Sequence, residues 1–256
     1  MPRIIISGIG GQMGSALQSV IRETLDFQDF EVVAGFDVDD GETEGIPVFS
    51  RPDEAAETAP RADVVIDFSN YAFVGGVMRY IGATNTPAVI ATTALEELDI
   101  KLMHEVAKQT PIFHSANMSL GVNLVAKMAR LVAPSIEDGF NIEIIEAHHN
   151  RKKDSPSGTA ILLADAINDS LSERKEYVFG RYGREDAPSI SEIGIHAVRG
   201  GTIPGQHKIM FAGPDEVIEI SHMVYSRKVF AIGALKAAAF ILGKEPGLYD
   251  MNDLLG

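Results

Sequence analysis

Short hydrophobic runs alternate with longer segments of helical periodicity in the first half of the chain. The runs fall at residues 3–7, 31–36, 62–68, 87–91 and 111–114, and the helical segments at 15–25, 71–81 and 95–108. Runs that are apolar on successive residues predict strands buried on both faces, as in a parallel sheet. The alternation of strand and helix therefore predicts an α/β unit built on a doubly wound parallel sheet.

The second half of the chain has a different pattern. Helical segments at 121–132, 160–171 and 230–242 accompany strand-like runs at 141–147, 190–198, 207–211 and 217–224. Three of these runs follow one another with only turns between them, which predicts an open mixed or largely antiparallel sheet and hence a second, α+β domain. The charged, glycine-containing stretch 172–187 predicts a mobile surface loop. We place the domain boundary near residues 119–121, where the alternating pattern stops.

A glycine-rich loop, residues 8–14, joins the first predicted strand to the first predicted helix. A dinucleotide-binding fingerprint requires this context, because glycine forms the tight turn and lets backbone N–H groups approach a pyrophosphate. Met13 occupies the third glycine position of the G-x-G-x-x-G pattern, so that the actual spacing is Gly8, Gly11 and Gly14. The loop favours cofactor binding, and a glycine turn needed only for packing is the alternative.

Small or polar residues follow other predicted strands at their carboxyl ends, where open α/β sheets bind ligands. Asp37 ends the second strand, where an acidic residue can meet the adenosine ribose hydroxyls; a solvated strand-end carboxylate is the alternative. Its charge would repel a 2′-phosphate, and the next residue, Val38, supplies no cation, which favours NAD over NADP. Residues 91–93 and 115–118 suit close approach to a nicotinamide, and they suit ordinary turns equally well.

A basic segment is the most unusual feature of the second half. Five cationic or protonatable side chains fall within six positions, namely His148, His149, Arg151, Lys152 and Lys153. They lead into Ser157, Gly158 and Thr159 at a predicted helix start, where unpaired N–H groups bind anions. The segment therefore predicts a site that holds a small anion and protonates it, and a solvated loop capped by Ser157 is the alternative. A metal site is disfavoured, because adjacent histidines are an unusual chelating pair and no third ligand accompanies them.

Composition narrows the classes of function. The 256 residues contain 36 acidic and 22 basic side chains, a formal net charge of −14, which argues against nucleic acid or an anionic membrane as the main partner. The absence of cysteine excludes disulfides, thiolate catalysis and cysteine-ligated metal centres. The chain enters a strand pattern at once, without signal-peptide architecture, and no apolar run is long enough to span a bilayer. We therefore expect a cytoplasmic protein that acts on a small molecule.

Several motifs resemble one enzyme family. The stretch Glu146-Ala147-His148-His149, followed by Lys152, Asp154 and Pro156-Ser157-Gly158-Thr159-Ala160, closely resembles the signature of the 4-hydroxy-tetrahydrodipicolinate reductase (dihydrodipicolinate reductase) family. The similarity covers the whole chain and includes the glycine loop, Ile66-Asp67-Phe68, Thr92-Thr93, Ala116-Asn117, Val198-Arg199-Gly200 and Gly247-Leu248-Tyr249-Asp250-Met251. The chain departs from the family at Ala91 and Ala94, where glycine is common, at Val38, often arginine in members that use NADPH, and at Met118, often phenylalanine.

The resemblance implies a Rossmann-like dinucleotide-binding domain of residues 1–119, completed by 228–256, and a substrate-binding and oligomerisation domain of residues 120–227. It implies NAD(P)H-dependent reduction of 4-hydroxy-tetrahydrodipicolinate to tetrahydrodipicolinate with loss of water, in the diaminopimelate route to lysine. The usual assembly would be a homotetramer joined through the C-terminal sheets. From Asp37 and Val38 we expect NADH to be preferred, with NADPH as the alternative cofactor, and no metal.

The resemblance also implies roles for individual residues. His148 and Lys152 would be the catalytic, proton-transferring residues. The substrate carboxylates would be held by His149, Gly158 and Thr159. From the residues themselves we add Ser157, as part of the helix start, and Arg227 as an additional contact, for which a surface arginine preceding a helix is the alternative. The residues lining the cofactor would be Gly8, Ile9, Gly10, Gly11, Gln12, Met13, Asp37, Ala91, Thr92, Thr93, Ser115, Ala116, Asn117 and Met118.

Two other functions fit the same residues. One is a different two-domain NAD(P)-dependent dehydrogenase that acts on a small amino or carboxylic acid, which assays of hydride transfer to several substrates would separate. The other is a dinucleotide-sensing regulator without turnover, which would bind NADH but not oxidise it. A regulator would have little reason to keep both His148 and Lys152.

Overall fold

The computed structural model describes residues 1–183 and 187–256, which form two units. The first unit comprises Met1–Leu120 and Arg227–Gly256, and the second comprises Gly121–Ser226. The chain therefore leaves the first unit once, forms the second and then returns. Within the described ranges, no helix combines the length and the apolar composition needed to cross a bilayer.

Thirteen strands and seven α-helices follow one another along the described chain. In order they are β1 (Arg3–Ser7), α1 (Gln12–Glu23), β2 (Glu31–Phe36), β3 (Gly41–Thr43), β4 (Ile46–Phe49), β5 (Val64–Asp67), α2 (Tyr71–Thr84), β6 (Ala88–Ile90), α3 (Glu97–Val106), β7 (Pro111–His114), α4 (Leu120–Ile136), β8 (Asn141–His148), α5 (Gly158–Asn168), β9 (Glu176–Phe179), β10 (Glu192–Arg199), β11 (Gln206–Ala212), β12 (Val217–Met223), α6 (Lys228–Ile241), β13 (Gly247–Tyr249) and α7 (Met251–Leu255).

The first unit is built on an eight-stranded sheet with the order β13-β7-β6-β5-β1-β2-β4-β3. Every neighbouring pair is parallel except β3 and β4. Successive side chains of a strand point to opposite faces, so Ile4 and Ile6 of β1 pack in a core with α1 and α6, while Ile5 packs in a second core with α2 and α3. Helices on both faces of a parallel sheet confirm the predicted doubly wound architecture.

The second unit carries a five-stranded sheet with the order β12-β11-β8-β10-β9. β10 runs parallel to β8 and β9, whereas β11 runs antiparallel to β8 and β12, which confirms the predicted mixed sheet. Helices α4 and α5 pack against one face, which we call the inner face. Its core includes Ile142 and Ile144 of β8, so the odd-numbered residues of β8 point to the opposite, outer face.

The prediction missed several short elements and was wrong in part at 172–187. β3, β4, β13 and α7 have only three to five residues each, too few to show a period. The stretch 172–187, predicted as a loop, contains the edge strand β9, while residues 184–186 lie outside the described residues. Helix α1 begins at Gln12, so Gly14 belongs to the helix and not to the loop.

Candidate active site

The glycine loop lies at the carboxyl end of β1, beside Asp37 at the end of β2. The backbone N–H of Gly10 donates to Asp37 Oδ2 at 2.8 Å, and the N–H of Val38 donates to Asp37 Oδ1 at 2.8 Å. A cavity of about 430 Å³ opens here, lined by Ile9, Gly10, Gly11, Asp37 and neighbouring residues. A carboxylate therefore faces a concave surface that is partly backbone.

The first glycines of the loop and the glycine in α1 serve different purposes. A Cβ on Gly14 would lie 2.3 Å from Ile9 O and 2.4 Å from Gly8 O, so only glycine lets α1 pack this close to the loop. Gly8 has φ +77°, in the region that favours glycine. A Cβ on Gly10 would approach Asp37 Oδ2 to 3.1 Å, so a side chain would begin to fill the cradle. These features fit a dinucleotide, whose pyrophosphate needs close access to backbone N–H groups.

A second cavity, of about 340 Å³, lies at the carboxyl ends of neighbouring strands of the same sheet. It brings together seven residues predicted to line a cofactor, namely Met13, Ala91, Thr92, Thr93, Ala116, Asn117 and Met118. Phe68, Ser69 and Phe230 also line it, and the prediction missed them. Ser115 supports the turn beside the cavity, because its Oγ donates to Asn117 O at 2.9 Å.

A buried carboxyl group lies beneath this second cavity. Asp67, at the end of β5, is fully buried; Thr92 Oγ1 donates to its Oδ2 at 2.6 Å, and Ser69 N donates to its Oδ1 at 3.2 Å. Burial raises the pKa of Asp67, and the hydrogen bonds from Ser69 and Thr92 offset only part of that rise. Asp67 therefore positions Thr92 in the cavity wall. Ala94, where the family commonly has glycine, adopts φ +58°.

The basic segment begins where β8 ends, at His148, and it is organised by Glu146. Glu146 Oε2 accepts from His148 Nδ1 at 2.6 Å and from Arg199 Nη1 at 2.7 Å. Its Oε1 accepts from Arg199 Nη2 at 2.7 Å and from the backbone N–H of Ser157 at 3.0 Å. Burial alone would raise the pKa of Glu146, but the hydrogen bonds from Arg199, His148 and Ser157 outweigh it and leave that pKa below its ordinary value.

Helix α5 begins beside this carboxylate. Ser157 is its N-cap, and the Ser157 Oγ accepts from Ala160 N at 3.2 Å and lies 2.8 Å from His207 Nε2. The Ser157 side chain is buried, so its hydroxyl is used within the protein. Gly158 is exposed, with open space beside its Cα, and Thr159 follows it in the first turn. The start of α5 can therefore present backbone N–H groups to an anion.

A turn at residues 149–152 brings Lys152 back towards the end of β8. Lys152 N donates to His149 O at 3.1 Å, and Lys152 Nζ lies 2.8 Å from Asp154 Oδ2. His149 has a buried Nδ1 for which the described residues offer no hydrogen-bond partner. Arg227 is exposed at the N-cap position of α6, in the first unit.

The prediction assigned no role to three residues of this cluster, Glu146, Arg199 and His207. His207, on β11, is only 4% exposed, and its ring meets that of His148 edge-on with 5.2 Å between centroids. Burial, together with the nearby His148, lowers the pKa of His207 to about 4, so its ring is neutral at pH 7. Across residues 1–183 and 187–256, no group of three histidine, aspartate or glutamate side chains is arranged to hold a metal ion.

Comparison with known proteins identifies the family. Family models described as "Dihydrodipicolinate reductase, N-terminus" and "Dihydrodipicolinate reductase, C-terminus" match residues 2–118 and 121–255. The 4-hydroxy-tetrahydrodipicolinate reductase of Caldanaerobacter subterraneus subsp. tengcongensis is 49% identical over 100% of this chain and 98% of the relative. The enzyme of the same name from Clostridium tetani is 43% identical over 100% of this chain and 97% of the relative.

A solved structure shares the whole fold. It is the dipicolinate-bound dihydrodipicolinate reductase of Paenisporosarcina sp. TG-14, with a TM-score of 0.81 at 24% identity, covering 98% of this chain and 99% of that one. This likeness concerns the fold, and the sequence matches concern the family. The chain belongs to the dihydrodipicolinate reductase family, a family of Rossmann-type oxidoreductases that use NAD(P)H.

Proposed function

We propose that this protein reduces 4-hydroxy-tetrahydrodipicolinate to tetrahydrodipicolinate, in the diaminopimelate route to lysine. The overall reaction consumes one hydride and one proton and releases the 4-hydroxyl group as water. The observation that carries the proposal is the cationic site at the end of β8, in which His148, His149 and Lys152 accompany the exposed start of α5. A cyclic dicarboxylate is the class of small anion that needs such a set of donors.

The carboxylates of the substrate are bound by the first turn of α5 and by its basic neighbours. Backbone N–H groups at Gly158 and Thr159, together with the His149 ring, supply the donors, and Arg227 is an additional contact. We assign Ser157 to this site through capping, because its hydroxyl is already bonded within the protein. The cap holds the first turn of α5 in place for the substrate.

His148 and Lys152 transfer the proton. Hydride addition to the conjugated imine-type ring builds negative charge on the substrate, which a nearby ammonium group both stabilises and neutralises by donating a proton. Lys152 provides that ammonium, and its contact with Asp154 orients it. His148, at the end of β8, is the second proton donor or acceptor.

NAD(P)H supplies the hydride when it is bound in the first unit. The residues assigned to it are those named from the sequence: Gly8, Ile9, Gly10, Gly11, Gln12, Met13, Asp37, Ala91, Thr92, Thr93, Ser115, Ala116, Asn117 and Met118. The two cavities lined by many of these residues support the assignment. We propose that NADH is preferred, because Asp37 would repel a 2′-phosphate and Val38 offers no cation to hold one.

The central test follows the absorbance of NADH, and separately of NADPH, with freshly generated 4-hydroxy-tetrahydrodipicolinate. Lys152→Ala should lower kcat by about 10²-fold, the usual scale for a proton-transfer group, while NADH binding stays nearly intact. Lys153→Ala is the matched control, since Lys153 is the next residue, is exposed and carries the same charge. Unchanged turnover in Lys152→Ala would remove Lys152 from its role, and a higher kcat/KM with NADPH would contradict the preference for NADH.

We also propose a cytoplasmic homotetramer that associates through the sheet of the second unit. Val198, Val217 and Met223 are large exposed hydrophobic residues on its outer face, the kind of surface that protein contacts cover. Light scattering should give a mass four times that of the 27.6 kDa chain. Val217→Asp should lower that mass, and a monomer in the unmodified protein would contradict the proposal.

A further inference from the structure

We propose that Glu146, held by Arg199, is a positioning residue that makes Nε2 the proton-transferring atom of His148. The inference rests on the proposed reduction of a dicarboxylate and deepens it, because it specifies how one of the two proton-transfer groups is prepared. We call Glu146, His148 and Arg199 the inner triad, since all three meet at the inner face of the sheet.

The hydrogen bonds at Glu146 determine which ring nitrogen of His148 carries a proton. Glu146 receives four donors within 3.0 Å, two from Arg199, one from Ser157 and one from His148. An ionised carboxylate only accepts hydrogen bonds, so His148 Nδ1 must be the protonated nitrogen. In the neutral ring Nε2 is then the free base, and in the charged ring Nε2 is the atom that can release a proton.

Arg199 stabilises the ionised form of the buried Glu146 carboxylate. The Glu146 side chain is 0% exposed, and an unpaired carboxylate there would tend to take up a proton and lose its hold on the histidine. Arg199 binds both carboxylate oxygens, and its Nη2 also donates to the backbone carbonyl of Asp154 at 2.7 Å. The Asp154 side chain in turn contacts Lys152, so Arg199 supports both proton-transfer residues.

The surroundings of His148 leave Nε2 usable. Gly205 passes beside the ring with φ +155°, and a Cβ at Gly205 would lie 3.3 Å from Nε2, tighter than an ordinary contact. The neighbouring His207 ring, whose pKa is lowered to about 4, is neutral at pH 7 and places no positive charge beside the His148 ring. The side chain of His148 also remains partly exposed.

The same strand offers an internal control on the outer face. Glu143 Oε2 lies 2.7 Å from His196 Nε2, and Glu143 Oε1 accepts from Arg181 Nη2 at 2.9 Å. We call Glu143, His196 and Arg181 the outer triad. It has the same three residue types, but it does not adjoin the start of α5.

The kinetic test compares glutamate variants of the two triads. Glu146→Gln should lower kcat by about 10²-fold, the lower end of the range for loss of a general acid–base group. The KM, and the Kd for dipicolinate as a planar dicarboxylate probe, should change much less than kcat. Glu146→Asp keeps the charge but withdraws the carboxylate from His148 by one methylene, so kcat should fall in this variant as well. Glu143→Gln should keep kcat within about twofold.

The tautomer test needs no turnover, so it can fail separately from the proposed function. Solid-state ¹⁵N spectra of protein labelled only in its histidine rings, assigned with His148→Asn, should show the proton of neutral His148 on Nδ1. Glu146→Gln should add the Nε2–H form, which free imidazole side chains prefer in water. Light scattering and circular dichroism on each variant separate changes of assembly or folding from changes of chemistry.

Three results would overturn the inference: Nε2–H as the main form in the unmodified protein, unchanged kcat in Glu146→Gln, or equal losses of kcat in Glu146→Gln and Glu143→Gln. Lack of any hydride transfer by the unmodified protein would instead defeat the proposed function and leave the ¹⁵N result to decide the role of Glu146.

Discussion

The inner and outer triads use the same three residue types in different surroundings, and their glutamates lie three positions apart on β8. Glu146 is 0% exposed, whereas the side chain of Glu143 is 20% exposed. Arg199 donates to both carboxylate oxygens of Glu146, whereas Arg181 donates twice to a single oxygen of Glu143 and once to Glu192. The comparison teaches that burial and neighbours, and not residue type, distinguish the fully buried carboxylate of the inner triad from the partly exposed one of the outer triad.

The arginines provide the test with the largest expected effect. Arg199→Met leaves the buried Glu146 without its main partner, so we expect a loss of about 3–4 kcal/mol in the free energy of unfolding. Arg181→Met leaves carboxylates that are 20% and 25% exposed in the single chain, so we expect a smaller loss, of about 1 kcal/mol. Urea titrations followed by circular dichroism at pH 7 measure both losses. Equal losses would mean that the two triads are energetically equivalent.

Acid should destabilise the protein through His207, a buried neighbour that the inner triad has and the outer triad lacks. Because the pKa of His207 is lowered to about 4 in the folded state, the unfolded chain binds a proton below about pH 6.5 before the native state does. The associated stability is therefore present at pH 7 and lost as the pH falls towards 4. Between pH 7 and 4.5, the free energy of unfolding of the unmodified protein should fall by roughly 2 kcal/mol more than that of His207→Asn. Identical acid dependence of the two proteins would contradict the buried, neutral state of His207.

Glycines beside the two triads give the smallest expected effect. Gly205→Ala would crowd His148 Nε2, so we expect kcat to fall about tenfold, which corresponds to about 1.4 kcal/mol. Gly194→Ala would push Glu143 aside, since a Cβ there would lie 1.8 Å from Glu143 Oε2, yet kcat should stay within about twofold. Steady-state assays on both variants measure the difference. A larger loss of kcat in Gly194→Ala would reverse the ranking of the two faces.

The fold was largely predictable because its central strands carry their own signal. Continuous apolar runs such as residues 3–7 mark strands buried on both faces, and they were predicted correctly. Edge elements were not predictable in the same way. β9 has the burial pattern of a half-exposed strand, and its pairing with β10 supplies the order that its four residues do not encode.

The candidate site was predictable where its residues are contiguous. The basic segment and the glycine loop are visible because each lies in one stretch of sequence. The partners that organise them come from other strands: Arg199 lies opposite His148 in the β8–β10 register, and His207 lies opposite Glu146 in the β8–β11 register. Register depends on the assembled sheet, so a single sequence does not reveal these pairs.

The first unit is made of two separate segments of the chain, which imposes an order on folding during synthesis. Helix α6 contributes Ala234, Leu235 and Ala238 to the core that also holds Ile4 and Ile6. Because the ribosome makes the N-terminus first, this core stays incomplete until more than a hundred intervening residues have been synthesised. The second unit is continuous and can complete itself during that time. The second unit can therefore fold before the first is complete. The first unit can bind a nucleotide only after α6 and α7 have packed into its core.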